Sequence, residues 1–170
     1  MPDGSLKLRG RVTVVLGDNV DTDLIYPGRY LNVTDREKTA EHLFELAYPD
    51  IRTALKPGDF IVAAKNFGCG SSREQAAAAL KFAGAGALIA ASFARIFFRN
   101  SINLGLPAVV APEACAACAA GDELEIDLAA GEIRNLTQDR LVHAAGLDPR
   151  AVELLAAGGL IPYLKRKHAA

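Results

Sequence analysis

A chain of 170 residues, 51% hydrophobic and 23% charged, is long enough for one domain with its own core, and its composition is that of a folded protein rather than a disordered one. Nineteen basic against twenty acidic side chains leave a formal charge of −1, without the concentrated positive field that nucleic acid or an anionic membrane demands of a partner. Three cysteines cannot close a disulfide framework, the uncharged stretch 82–94 is too short to span a bilayer, and the opening MPDGSLKLRG has no apolar core of a secretory leader, so a reducing cytoplasm is the expected location.

Residues 9–16 (RGRVTVVL) alternate polar and β-branched side chains and predict a strand. A polar loop follows over 17–33, carrying DNVDTD and then Pro27-Gly28. Asp35 is placed to cap a helix running to about residue 47, with Leu43, Phe44 and Ala47 at helical spacing. Lys56-Pro57-Gly58-Asp59 predicts a turn, and 60–64 a short apolar strand. The next stretch reads as helix 71–82 stopped by Gly84 and Gly86, strand 87–91, helix 92–104 opened by Ser92 and ended by Gly105, and strand 106–111. After Pro112 come a short helix over 113–120, a hairpin (122–128 and 132–136) turning at Ala130-Gly131, a helix over 149–157, and a solvated basic tail, Lys165-Arg166-Lys167-His168. Helices alternating with buried strands indicate an α/β fold containing a parallel sheet. The expected organisation is one domain over 1–170 with a β-rich appendage at about 121–136.

The stretch Lys65-Asn66-Phe67-Gly68-Cys69-Gly70-Ser71-Ser72-Arg73-Glu74 is the most informative. It lacks the spacing and lysine of a P-loop, the third small residue of a dinucleotide fingerprint, and the second glycine of a nucleophile elbow. One reading is a helix start alone: Gly68 and Gly70 make a tight turn, and Ser71 with Glu74 forms a capping box. That reading leaves Arg73 unexplained, because a cation in the first turn opposes the helix dipole unless an anion is to be bound there. Free amides, two hydroxyls and a guanidinium together suit a carboxylate or phosphate, so a plain anion-binding module is the non-enzymatic alternative.

Three segments, GDNVDTDLIYPGRYL, KNFGCGSSREQAAAAL and SFARIFFRNSINLGLP, resemble the small subunits of 3-isopropylmalate dehydratases. These are similar to the swivelling C-terminal domain of aconitase, and homoaconitase small subunits share the pattern. The resemblance implies an aconitase C-terminal-like β/β/α fold and half of a hydro-lyase that isomerises 2-isopropylmalate and 3-isopropylmalate in leucine biosynthesis. It further implies a large-subunit partner, in a heterodimer or heterotetramer, that carries a [4Fe–4S] cluster acting as Lewis acid. It assigns Ser71 as the base removing the proton next to a carboxylate, Ser72 and Arg73 as holders of that carboxylate, and Asp23, with Thr22 beside it, as the partner of a large-subunit histidine. The segment Tyr30-Leu31-Asn32-Val33 matches the loop over the substrate's variable group. Homoaconitases place an arginine at the position of Asn32, so a small branched hydroxy-dicarboxylic acid is the expected substrate. Homoaconitate and 2,3-dimethylmalate are the alternatives.

Asp18, Asp21 and Asp23 do not make a calcium loop, since the sixth-position glycine and twelfth-position glutamate are missing; self-capping carboxylates are the simpler reading. Cys115 and Cys118, with the distant Cys69, number three, as an open-iron cluster requires. Cys115 and Cys118 lie in an alanine-rich helical segment where thiols act as small hydrophobes, and the family's cluster ligands belong to the large subunit. No metal is therefore expected on this chain. Arg95 and Arg99, four apart, suit surface ion pairs or a face toward the partner.

Overall fold

The computed structural model describes residues 6–169; the leader reading of residues 1–5 lies outside the described residues. Seven strands form one sheet in the order β4-β3-β2-β1-β5-β6-β7. β1 (Lys7–Leu16), β2 (Phe60–Ala63), β3 (Ala87–Ala90) and β4 (Ala108–Val110) are parallel neighbours. β5 (Glu123–Asp127), β6 (Glu132–Asn135) and β7 (Arg140–His143) add antiparallel on the other side of β1. The hairpin thus extends the main sheet.

Both faces of the parallel half are buried. Ile61, Ala63, Leu88 and Ala90 belong to one core; Phe60, Val62, Ala87 and Ile89 belong to the other. This is the period of two that alternating side chains impose, and it explains why β2 and β3 read as unbroken apolar runs. The first core is covered by α4 (Glu74–Phe82) through Ala76, Ala77 and Leu80, and by residues of the 22–55 region. The second is covered by α5 (Arg95–Asn103) through Ile102 and by α7 (Pro149–Ala157) through Leu154 and Leu155. In the antiparallel half only one face is buried, with Leu124, Ile126, Ile133 and Val142 inward and Glu123, Arg134 and Arg140 exposed.

Several boundaries differ from the sequence expectations. The loop 17–33 contains a one-turn helix, Thr22–Ile25, capped by Asp21, and a 3-10 turn, Gly28–Tyr30. Asp35 does cap a helix, accepting from the Lys38 amide at 3.0 Å, but the helix (Arg36–Glu41) stops well short of residue 47. The reason is Phe44, fully buried with φ +53°, whose amide donates to the Ile25 carbonyl at 2.8 Å instead of continuing the helix. A further short helix, Pro49–Ala54, has its proline in the first turn, where no amide is needed. The helices expected from Ser71 and Ser92 begin three residues later, at Glu74 and Arg95. The basic tail is the end of a helix, Leu160–Ala169, with Lys165 to His168 exposed along it. Among the described residues no helix is long and apolar enough to cross a membrane.

Candidate active site

β1, β2 and β3 run parallel, and the loops leaving their carboxyl ends are tied edge to edge. The Gly68 amide donates to the Val20 carbonyl at 2.8 Å and the Thr22 amide to the Cys69 carbonyl at 2.9 Å. Farther along, the Phe67 amide reaches the Ser92 carbonyl at 3.0 Å and the Ala94 amide the Phe67 carbonyl at 2.9 Å. The Ser92 hydroxyl accepts from the Asn66 amide at 2.8 Å, which is why it does not cap α5. The crevice outside the carboxyl ends of parallel strands is where open α/β sheets bind ligands.

Phe67 anchors this loop from below. It is 1% exposed and meets Phe97 edge-on at 5.3 Å between ring centroids, with Phe93 at 6.0 Å. Burying such a ring stabilises by about 1.5–3 kcal/mol, so the loop backbone rests on a firm floor. Gly68 follows with φ +77°, and a Cβ there would lie 2.1 Å from Phe97 Cγ. Only glycine gives the backbone both this conformation and this approach.

Ser71 and Ser72 are exposed above that floor. The capping box expected between Ser71 and Glu74 is not formed. Arg73 is the N-cap residue of α4, its backbone still extended (φ −130°, ψ 112°), and no side chain caps the helix. Ser71 therefore stands two residues ahead of the cap, and its carbonyl accepts from the buried Thr22 hydroxyl at 2.9 Å. Arg73 is half-buried, and its Nη1 donates to Asp23 Oδ1 in an ion pair spanning 50 positions of sequence.

The three acids of DNVDTD have three different tasks. Asp18 accepts from the Lys65 amide at 2.8 Å, Asp21 caps its helix by accepting from the Leu24 amide at 2.8 Å, and Asp23 pairs with Arg73. Only Asp21 is the self-capping carboxylate of the sequence reading.

Tyr30, Leu31, Asn32 and Val33 do not line the crevice beside Ser71. Leu31 and Tyr30 pack partly onto the first core, while Asn32 is exposed. The segment nevertheless starts at the site: a Cβ on Gly28 would lie 3.0 Å from Arg73 Nη1 and 3.3 Å from Asp23 Oδ1. The base of the loop thus abuts the ion pair.

Comparison with known proteins places the chain in a family. Residues 48–114 match the aconitase C-terminal domain. The 3-isopropylmalate dehydratase small subunit of Moorella thermoacetica is 54% identical over 151 residues, covering 89% of this chain and 91% of the relative. The chain belongs to the family of 3-isopropylmalate dehydratase small subunits. The crystal structure of 3-isopropylmalate dehydratase from Methanocaldococcus jannaschii superposes with a TM-score of 0.89 at 43% identity, covering 96% of both chains. The methanogen homoaconitase small subunit of Methanothermobacter thermautotrophicus is 50% identical over 159 residues, covering 93% of this chain and 91% of that one, so overall identity does not separate the substrates.

In this member of the dehydratase family, the crevice has a volume of about 470 Å³ and is lined by Ser71, Ser72 and Arg73 from one side and by Arg95, Ile96 and Arg99 of α5 from the other. Arg95 and Arg99 are exposed and form no ion pair among the described residues, unlike the surface pairing expected of them. Arg73 is balanced by Asp23, but Arg95 and Arg99 are unpaired among the described residues and no acid lines the crevice, so its field is positive and attracts an anionic ligand. The thiols are poor candidates for iron. Burial pushes the Cys118 thiol up to about 11 and raises Cys115 as well, whereas a cluster needs thiolates. Cys115 Sγ faces the Leu16 carbonyl at 3.7 Å, and no group of three or more potential metal ligands occurs among the described residues.

Proposed function

We propose that this chain is the small subunit of a two-subunit hydro-lyase that interconverts 2-isopropylmalate and 3-isopropylmalate, in cytoplasmic leucine biosynthesis, by removing and re-adding water. The observation that carries this reading is the meeting of the DTD and GSSRE segments in one positive crevice, through the Thr22–Ser71 bond and the Asp23–Arg73 pair.

Dehydration of such an acid takes a hydroxyl from one carbon and a proton from its neighbour, the latter next to a carboxylate. Negative charge builds on that carboxylate as the proton leaves, and a hydroxyl is a weak base, so both need a preorganised positive environment. Ser71 is assigned the proton transfer: its side chain is exposed at the crevice and, among the described residues, engaged by no other group. Arg73 and Ser72 hold the carboxylate. A guanidinium has five N–H donors, and the pairing with Asp23 leaves others for a bidentate grip. Asp23, exposed on its outer side, is assigned to orient and charge a histidine of the large subunit. The [4Fe–4S] cluster expected on that subunit supplies a Lewis acid for the departing hydroxyl. Asn32 brings no positive charge for an extra carboxylate, and this favours isopropylmalate over homoaconitate.

The test is reconstitution. The chain is mixed with the large subunit and assayed with isopropylmalate, 2,3-dimethylmalate and homoaconitate. Highest kcat/KM with isopropylmalate supports the reading; preference for another acid, or no turnover with any, overturns it.

A further inference from the structure

Three side chains from outside the segment 28–33, Glu45, His42 and Tyr26, converge on it, and Glu45 is their centre. Glu45 Oε1 accepts from Arg29 Nη2 at 2.5 Å and from the Tyr30 hydroxyl at 3.0 Å, while Oε2 lies 2.8 Å from His42 Nδ1. The His42 ring is stacked on Tyr30, with centroids 3.5 Å apart and planes within 5°. The Arg29 guanidinium also lies 4.8 Å from the Tyr30 ring centroid. At the backbone, the fully buried Tyr26 donates its hydroxyl to the Tyr30 carbonyl at 3.0 Å. Tyr30 is thus held at its ring face, its hydroxyl and its carbonyl.

The same carbonyl accepts from the Val33 amide at 2.9 Å, and the Leu31 amide reaches the Gly28 carbonyl at 3.3 Å. Where Tyr30 sits therefore fixes the turn that carries Asn32. At its other end the turn is anchored on Gly28, against the Arg73–Asp23 pair. A single exposed ion pair contributes little to stability, so three donors gathered on one partly exposed carboxylate are better explained as setting a position. The hydrogen bonds from His42, then those from Tyr30 and Arg29, hold the Glu45 carboxyl below its ordinary value, against the opposing effect of desolvation, so it remains an acceptor for all three.

We propose that Glu45 is a positioning residue for substrate choice: by gathering Arg29, Tyr30 and His42 it fixes the turn that carries Asn32, an assignment that rests on residues 30–33 facing the substrate. Glu45 touches no reacting atom. Its effect falls on discrimination between acids rather than on the chemical step.

The test uses Glu45→Ala and Glu45→Gln, with Asn32→Arg alongside. In the two-subunit enzyme, Glu45→Ala raises KM for isopropylmalate about fivefold, leaves kcat within twofold, and lowers the isopropylmalate-to-homoaconitate ratio of kcat/KM by a similar factor. Glu45→Gln restores most of the loss, because its amide oxygen still accepts from Arg29 and Tyr30 and its amino group can donate to His42 in the other tautomer. In the full chain alone, amide hydrogen exchange at Leu31 and Val33 is faster in Glu45→Ala and unchanged in the strands. Unchanged exchange at those amides overturns the clamp. A fall in kcat at constant KM marks a general structural effect and overturns it too. If Asn32→Arg shifts preference toward homoaconitate while Glu45→Ala leaves the ratio within twofold, the positioning role fails and the loop assignment survives. If Asn32→Arg shifts nothing, the loop assignment fails and the inference falls with it.

Discussion

Gly68→Ala tests whether the floor under the serine loop is as close-packed as the geometry indicates. The added Cβ meets Phe97 Cγ at 2.1 Å and Phe97 Cβ at 2.6 Å, far inside contact distance. Phe97 has little room to retreat, being 3% exposed, edge-on to Phe67 and stacked on Phe93. Overpacking of this kind costs about 1–3 kcal/mol. The left-handed φ of +77° adds about 1–2 kcal/mol for a residue with a side chain. Together they predict a loss of roughly 2–5 kcal/mol, or about 4–20 °C in Tm for a chain of this size. Gly70→Ala is the internal comparison. Its φ is also positive, at +86°, but its nearest contact is an ordinary 3.5 Å to Asp21 Cβ, so only the backbone part of about 1–2 kcal/mol should appear. Urea unfolding followed by circular dichroism measures both. If Gly68→Ala is no more destabilising than Gly70→Ala, Phe97 yields freely and the rigid-floor argument is wrong.

Ser71→Ala in the assembled enzyme should abolish turnover while shifting stability by less than about 0.5 kcal/mol, as its hydroxyl caps no helix; near-normal turnover would remove Ser71 from the proton-transfer role. Arg73→Lys should lose most of kcat/KM, because a point charge cannot pair bidentately with a carboxylate and keep Asp23; retained activity in the same assay would contradict this. The purified chain alone should show no visible iron–sulfur absorbance after anaerobic iron and sulfide treatment, and a cubane-like band would refute the thiol assignment. Burial alone would raise the Asp122 carboxyl, but the Ala119 amide, Asn135 and Gln138 outweigh it and hold it below 3.8. Its folded-state value is depressed, so its contribution is fully present above that ordinary value and is lost as pH falls through the depressed one. Asp122→Ala should cost about 1–3 kcal/mol at neutral pH, and the gap from the parent should narrow in unfolding curves taken progressively below pH 3.8.

Elements whose partners are encoded in their own period were legible from the chain. Alternation marked β1, β5 and β6, continuous apolar runs marked β2 and β3, and the helix expected over 149–157 is α7. Features decided by a distant group were not. The end of the helix after Asp35 depends on the Ile25 carbonyl, and Ser92 is diverted from capping by Asn66. β7 carries two adjacent apolar residues, Leu141 and Val142, and is a strand because β6 offers it an edge. At the site, GSSRE stood out through Arg73, which a helix start alone does not explain, whereas the acids of DTD read locally as self-capping carboxylates and were marked only by the family resemblance. Their pairing through Arg73 and Asp23 is a long-range contact with no local signature. The same is true of Arg95 and Arg99, whose spacing fits any exposed helix and whose crevice is made by another loop.

The central place of β1 has a consequence for synthesis on the ribosome. Its two neighbours are both made later: Val12 pairs with Phe60, and Arg11 with Glu123. At about 5–20 residues per second, the antiparallel edge of the nascent strand waits roughly 6–24 s for its partner. During that time the amides of Lys7 to Arg11 form an open template for any passing strand. Arg9, Arg11 and Lys7 lie on this same edge and are exposed even in the folded chain, so the waiting strand carries like charges that repel a second copy of itself. A cluster that in the finished surface offers Arg9 to Glu123 thereby protects the molecule before the rest of it exists.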